Sequence, residues 1–159
     1  MYISGIVLVR IDDRLIHGQV MTSWLNYTGA NKIMIIDDES AVDPFMKSVF
    51  KTCVPDDVKV AAFTVAKAIP RLKKGFQKDK CIILVKFPKT LYELMEAGII
   101  FEHINIGGMG IRGTRKKFYK NISASEEERS MLKALIEKGS KVSVRIVADD
   151  TETDVATLV

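Results

Sequence analysis

Seven short apolar runs, at 6–11, 33–36, 58–63, 81–86, 103–106, 118–122 and 142–147, recur along the chain, and the segments between them carry apolar residues at helical spacing. Several runs, such as Ile33 to Ile36 and Cys81 to Val85, are apolar at every position and so must bury both faces. Strands of that kind belong inside a parallel sheet covered by helices on either side. The chain is therefore expected to be α/β and doubly wound, with a mostly parallel sheet of about seven strands and helices on both faces. The runs at 118–122 and 142–147 alternate apolar and polar residues and are expected nearer an edge. At 159 residues the chain is one domain's worth, and residues 1–159 read as a single domain without repeat or linker.

The helices are punctuated in the sequence. Asp43-Pro44 offers a cap and a first-turn proline, and Thr64 opens a helix in which Pro70 predicts a kink or restart. Thr90 with Glu93, and Ser125 with Glu128, have the spacing of capping boxes, stopped by Gly98 and Gly139 respectively. Cys53 and Cys81 lie far apart inside apolar segments and read as buried free thiols of a reducing, cytoplasmic setting. No signal peptide is expected and no apolar run reaches transmembrane length, so work at a membrane would require binding something embedded there. A net charge of +4 suits phosphate and acidic partner surfaces and is too weak to argue for nucleic acid.

Chemistry concentrates at residues 10–19, between the first apolar run and a helix marked by Val20, Trp24 and Tyr27. This strand-to-helix loop holds Arg10, Asp12, Asp13, Arg14, Gln19 and His17, one of only two histidines. His17 falls at the start of the helix, where free N–H groups and the dipole favour an anion. A neutral imidazole there is placed to accept a phosphoryl group, with Arg10 and Arg14 neutralising its oxygens and Gly18 and Gln19 in support. Asp12 or Asp13 can take a hydrogen bond from the second ring nitrogen and set the tautomer. The plainer reading is a helix-start histidine within surface ion pairs. Loops after strands carry sites often enough to favour the functional one.

The run from Arg10 to Val20, Arg-Ile-Asp-Asp-Arg-Leu-Ile-His-Gly-Gln-Val, resembles the active-site signature of the mannose/sorbose-family IIB component of the bacterial phosphoenolpyruvate-dependent sugar phosphotransferase system. Asn105 to Gly108 is similar to that family's Asn-Val-Gly-Gly turn, and Asp37-Asp38 with Asp43-Pro44 to its second crossover. The stretch 111–117 and the tail from Val147 depart from the family pattern. The resemblance implies that His17 is phosphorylated by a IIA phosphohistidine, with Arg14 beside the phosphate. It implies further that the group passes to a sugar held by membrane IIC/IID components. A two-histidine metal site is not expected, since no Cys or Glu completes ligand spacing, and no cofactor is expected either. Mannose, fructose, sorbose and N-acetylgalactosamine all occur among relatives, so the sugar is left open, as is the oligomeric state, a homodimer included.

In a doubly wound sheet the ligand sits at the carboxyl ends of the strands. Asp12, Asp13, Arg14 and His17, then Asp37 and Asp38, then Phe87-Pro88, then Gly107, Gly108 and Gly110 all fall there. His103 starts a strand and belongs to the opposite edge. The glycines of 107–113 match neither GxGxxG nor a P-loop and are expected to let backbone approach the phosphorylated histidine or a partner loop. Arg112, Arg115, Lys116 and Lys117 form a basic run that is either a solvated strand start or a docking patch for a IIA partner. Trp24 reads as core. Two rival functions stand beside phosphoryl carriage: a phosphatase using His17 with an aspartate as general base, and a regulatory domain that senses a phosphorylated protein without chemistry.

Overall fold

The computed structural model describes residues 3–158, so residues 1, 2 and 159 of the expected domain lie outside the described residues. In chain order the elements are β1 (Ile6–Asp12), α1 (Gly18–Thr28), β2 (Lys32–Ile36), α2 (Asp38–Ala41), α3 (Pro44–Thr52), β3 (Lys59–Phe63), α4 (Val65–Lys73) and β4 (Cys81–Val85). There follow α5 (Pro88–Glu96), β5 (His103–Gly108), β6 (Lys116–Tyr119), β7 (Ile122–Ala124), α6 (Glu126–Glu137), β8 (Lys141–Val144) and β9 (Thr153–Asp154). A seven-stranded sheet runs β3-β2-β4-β1-β5-β8-β9. Every pairing in it is parallel except β8 with β9.

Alternate residues of each strand feed two separate cores. Ile33, Ile35, Ile82 and Leu84 meet Met21, Trp24 and Leu25 of α1 and Phe50 of α3. Ile11, Met34, Ile83 and Ile106 meet Leu72 of α4, Leu91 and Leu94 of α5 and Leu132 and Leu135 of α6. The runs that are apolar at every position are those with a helix layer on both sides, and each fully buried Ile or Leu contributes about 1.5–3 kcal/mol.

The expected strand at 118–122 is corrected. Its centre is a turn, with Lys120 at a left-handed φ of 50°, and its two ends belong to different strands. β6 and β7 pair antiparallel as a separate hairpin outside the main sheet. The sheet's seventh strand is instead β9, in the tail, laid antiparallel against β8.

The helix ends hold with one exception. Asp43 accepts from Phe45 and Met46 N–H, Thr64 from Lys67 N–H, and Ser125 and Glu128 form a reciprocal capping box. The box expected at Thr90 does not form. Pro88 starts α5 two residues earlier, with Phe87 as its cap, so Thr90 is already inside the helix. α4 continues through Pro70 without a restart. Cys81 is buried, Cys53 half-buried, and both are free. No helix among the described residues is long and apolar enough to cross a membrane.

Candidate functional site

The site is built at the carboxyl end of β1, between β4 and β5. Arg10 and Asp12 are two residues apart in a strand and therefore point to the same face, toward α1. Both have 0% exposure. Arg10 lies opposite Asn105 in the parallel pairing with β5. Its Nη1 donates to Asn105 Oδ1 at 2.6 Å and to the Arg145 carbonyl at 3.0 Å, and its Nη2 to Asp12 Oδ2 at 3.2 Å. The guanidinium also lies 5.4 Å from the centre of the Trp24 ring.

Gly107 makes room for this. A Cβ there would stand 1.9 Å from Arg10 Cζ, so the guanidinium occupies the space a side chain would need. A Cβ at Gly108 would come within 2.7 Å of Asp12 Oδ1 and 3.1 Å of Arg14 Nη2. The two glycines thus admit charged side chains over the end of β5, rather than backbone from outside.

Asp12 gathers three cationic or potentially cationic groups. Its Oδ1 accepts from the Arg14 N–H and Nε, both at 3.0 Å, and its Oδ2 from Arg14 Nη2 at 3.2 Å. His17 Nε2 stands 3.2 Å from Oδ2. Burial by itself would raise the Asp12 pKa, but the Arg14 hydrogen bonds and the charges of Arg10 and Arg14 outweigh it and leave the carboxyl below its ordinary value. Burial pushes the Arg10 guanidinium down to about 10, with Asp12 opposing, so it stays charged at neutral pH. An ionised carboxylate only accepts, and the proton between Asp12 and His17 therefore sits on Nε2.

The loop returns His17 to Asp12 through a local turn. Leu15 N–H donates to the Asp12 carbonyl at 2.9 Å, and Leu15 adopts φ 57°. This left-handed step is held by burial, since Leu15 is 2% and Ile16 7% exposed in the α1 core. His17 is then the N-cap residue of α1 in extended conformation, its side chain free of any capping bond. The first turn of α1 contains no acidic residue to neutralise the dipole. Nδ1 of His17 has no hydrogen-bond partner among the described residues. The His17 side chain is 25% and that of Arg14 53% exposed, so both face solvent from above the buried pair.

The second aspartate does different work. Asp13 accepts from Gly110 N–H at 2.7 Å, from Arg115 Nη1 at 2.9 Å and from Arg112 Nη2 at 3.0 Å. Arg115 in turn donates to both carboxylate oxygens of Glu128, at 2.8 and 2.9 Å. Burial would lower the Arg115 pKa, but its bonds to Glu128 and Asp13 hold it above the ordinary value. Asp13 therefore ties the loop after β5 to the loop after β1, and the capping box of α6 anchors that tie.

These positions revise several sequence expectations. Arg10 is sealed beneath Asp12 and cannot reach an anion on His17. Asp13 touches the 110–115 loop, not His17. Arg115, only 4% exposed at its side chain, is a structural ion pair rather than a docking group. Arg112, half-exposed, and Lys116, exposed, remain at the surface, as do Gly18 and Gln19 at the start of α1. His103 lies at the amino end of β5, away from His17, bonded to Ser143 Oγ at 2.8 Å and paired with Glu152 at 3.4 Å. Trp24 is core, and its Nε1 donates to the Ile146 carbonyl at 3.1 Å. Asn105 joins the site unpredicted by any catalytic motif, although one buried amide between isoleucines is a signal for a buried polar partner.

The molecule is thus a doubly wound α/β domain with a histidine-centred site at the carboxyl edge of its sheet. A sequence model of the family described as "PTS system sorbose subfamily IIB component" matches residues 6–159. The chain is 32% identical over 155 residues to the PTS system fructose-specific EIIB component of Bacillus subtilis, covering 94% of this chain and 93% of that one. It is 33% identical over 151 residues to the sorbose-specific EIIB component of Lacticaseibacillus casei, covering 94% and 92%. The crystal structure of the IIBSor domain of the Klebsiella pneumoniae sorbose permease superposes with a TM-score of 0.88 at 29% identity, covering 96% of this chain and 94% of that one. The chain belongs to the sorbose-subfamily IIB components of the phosphotransferase system. It is a IIB component of sugar uptake, and IIB components of this family are phosphotransferases.

Proposed function

We propose that His17 carries a phosphoryl group through its Nδ1 atom, receiving it from a IIA phosphohistidine and giving it to a sugar bound by membrane IIC/IID components. The observation that carries this reading is the 3.2 Å contact of Asp12 with His17 Nε2. Because buried, ionised Asp12 holds the Nε2 proton, the lone pair available for attack is on Nδ1. Transfer forms the Nδ1–P bond as the donor's N–P bond breaks. The positive charge that builds on the ring is stabilised by Asp12, whose own charge is already fixed by Arg10 and Arg14. In the second step a sugar hydroxyl attacks phosphorus, the Nδ1–P bond breaks with its electron pair returning to the ring, the hydroxyl proton passes to solvent, and His17 is left neutral with its proton on Nε2.

Arg14 uses its Nε and Nη2 on Asp12 and keeps Nη1 without a partner among the described residues, available to the phosphoryl oxygens. The N–H groups at the start of α1 add a second set of donors. Gln19 and Gly18, exposed in the first turn, belong to that end. Residues 1–159 act as one IIB unit in this reading, peripheral to the permease. Hydrolysis by an aspartate base is disfavoured: Asp12 has no access to water, and Asp13 is committed to Gly110, Arg112 and Arg115.

The test supplies phosphoenolpyruvate, the two general phosphocarrier proteins and a mannose-family IIA domain, then locates acid-labile phosphate by mass. One phosphoryl group on His17, absent in His17→Ala, is expected. No label on this chain, with a donor that labels another IIB, rejects the carrier reading.

A further inference from the structure

A cavity of about 560 Å³ lies along β3, the outermost strand of the sheet. It is three strands from β1, roughly 14 Å across the sheet, and none of the residues placed at the His17 site lines it. Its volume falls within the range of small-molecule sites. We propose that this cavity binds a small amphipathic anion, a carboxylate or phosphate monoester on an apolar body.

The apolar part follows from the strand's alternation. Lys59, Ala61 and Phe63 share one face of β3, of which only Phe63 is packed against the core beneath α4, while Lys59 and Ala61 stay exposed. Ala61 stands beside Met34 in the parallel register, and its methyl group leaves space that a larger side chain would fill. After α4 ends at Lys73, Gly75 at φ 70° turns the chain so that Phe76, 3% exposed, closes the far wall. Phe63 and Phe76 thus give the cavity an aromatic lining suited to an acyl chain or ring.

The charged part follows from the mouth. Lys32, Lys59 and Arg71 line it. Lys32 is held by Asp79 at 2.8 Å, whereas Lys59 has no ion-pair partner among the described residues. Arg71 lies 4.4 Å over the Phe76 ring and donates only Nη1, to the Gly75 carbonyl, which leaves nitrogens free. Lys51 and Asp56 also line the cavity, so the cations Lys32, Lys51, Lys59 and Arg71 outnumber the acid Asp56 even with Lys32 held by Asp79, the complement of a single anionic head group. The same charges speak against a protein strand or a second copy. β3 is five residues long and begins with the exposed Lys59, and a short strand bearing an exposed lysine discourages edge pairing.

Octanoate, octyl phosphate and octanol, titrated into the full chain and followed by calorimetry and amide chemical shifts, test the proposal. Saturable one-to-one binding of at least one anion is expected, with shifts centred on Ala61, Phe63 and Phe76. Octanol should bind about tenfold more weakly, as should octanoate to Lys59→Glu. Ala61 is exposed, so Ala61→Trp should fold normally and abolish binding by filling the cavity. Tighter octanoate would identify the head group as a carboxylate, tighter octyl phosphate as a phosphate. Absence of saturable binding, equal affinity for octanol, or unchanged binding to Ala61→Trp overturns the proposal. So does a concentration-dependent dimer that Ala61→Trp dissociates, which would make this face a self-interface.

Discussion

Asp12 reaches His17 Nε2 at 3.2 Å from a side chain that has no solvent exposure of its own. The histidine is therefore oriented by a carboxylate that water cannot compete for. Replacing Asp12 by Asn removes the charge and leaves a group able to donate as well as accept. Imidazole nitrogen shifts should report a fixed Nε2–H tautomer in the parent and a mixture in Asp12→Asn. The rate of phosphoryl acceptance should fall at least about 100-fold, as when a triad aspartate loses its charge. An unchanged rate would remove Asp12 from the mechanism.

The same carboxylate couples the site to stability. Its folded pKa lies below the ordinary value, so its contribution is complete above about pH 4 and is lost as pH falls through the lowered pKa. At pH 7, Asp12→Asn leaves the buried Arg10 without its counter-charge and should cost about 3–5 kcal/mol. Denaturant unfolding should show that difference shrinking steadily below pH 4. A gap independent of pH would mean that packing, not charge, is lost.

Gly107 and Gly108 should fail in different ways when replaced by Ala. At Gly107 the new methyl would meet the Arg10 guanidinium at 1.9 Å and expel it from its bonds to Asn105 and Asp12. Loss of about 3 kcal/mol or more is expected in thermal or chemical unfolding. At Gly108 the methyl would press on Asp12 and the flexible end of Arg14. That variant should stay folded and lose phosphoryl-transfer rate instead, measured with the same IIA donor.

Arg112 and Arg115 both pair with Asp13, yet one side chain is 51% and the other 4% exposed. Arg115→Gln removes a buried charge from between Asp13 and Glu128 and should destabilise by about 3 kcal/mol. Arg112→Gln should cost under about 1 kcal/mol, being a surface pair. Any effect of Arg112→Gln should appear in the apparent KM for the donor protein and its salt dependence. Equal stability losses in the two variants would contradict this division.

Arg14→Lys should transfer more slowly than the parent although its charge is kept. An ammonium cannot hold both Asp12 oxygens and still offer a planar donor to a phosphoryl group. Single-turnover kinetics at saturating donor separate this from weakened docking.

Much of this was legible along the chain, for identifiable reasons. Runs apolar at every position require cover on both faces, which predicts the doubly wound sheet, and residues 10–19 carry the charged cluster that the fold gathers around His17. The caps at Asp43, Thr64 and Ser125 depend only on neighbours a few residues away, and they form as expected. Thr90 and the run at 118–122 mislead because Pro88 and the turn at Lys120 compete locally with the better-looking pattern.

What only the tertiary structure decided is the sorting of like residues into unlike roles. Asp12 and Asp13 are adjacent and chemically identical, but strand alternation sends the first into the Arg10 layer and leaves the second to the loop after β5. Arg10 and Arg14 divide the same way, one sealed against Asn105 and Trp24, the other open to solvent. The partners that impose these choices, Asn105, Gly107, Arg115 and Glu128, lie some ninety or more residues away in sequence. Sequence composition thus determined that His17, with Asp12 and Arg14 around it, falls at the carboxyl edge of a parallel sheet. Which charges are buried to hold the imidazole, and which stay exposed beside it, depended on burial across β1 and β5, a property that no local stretch possesses.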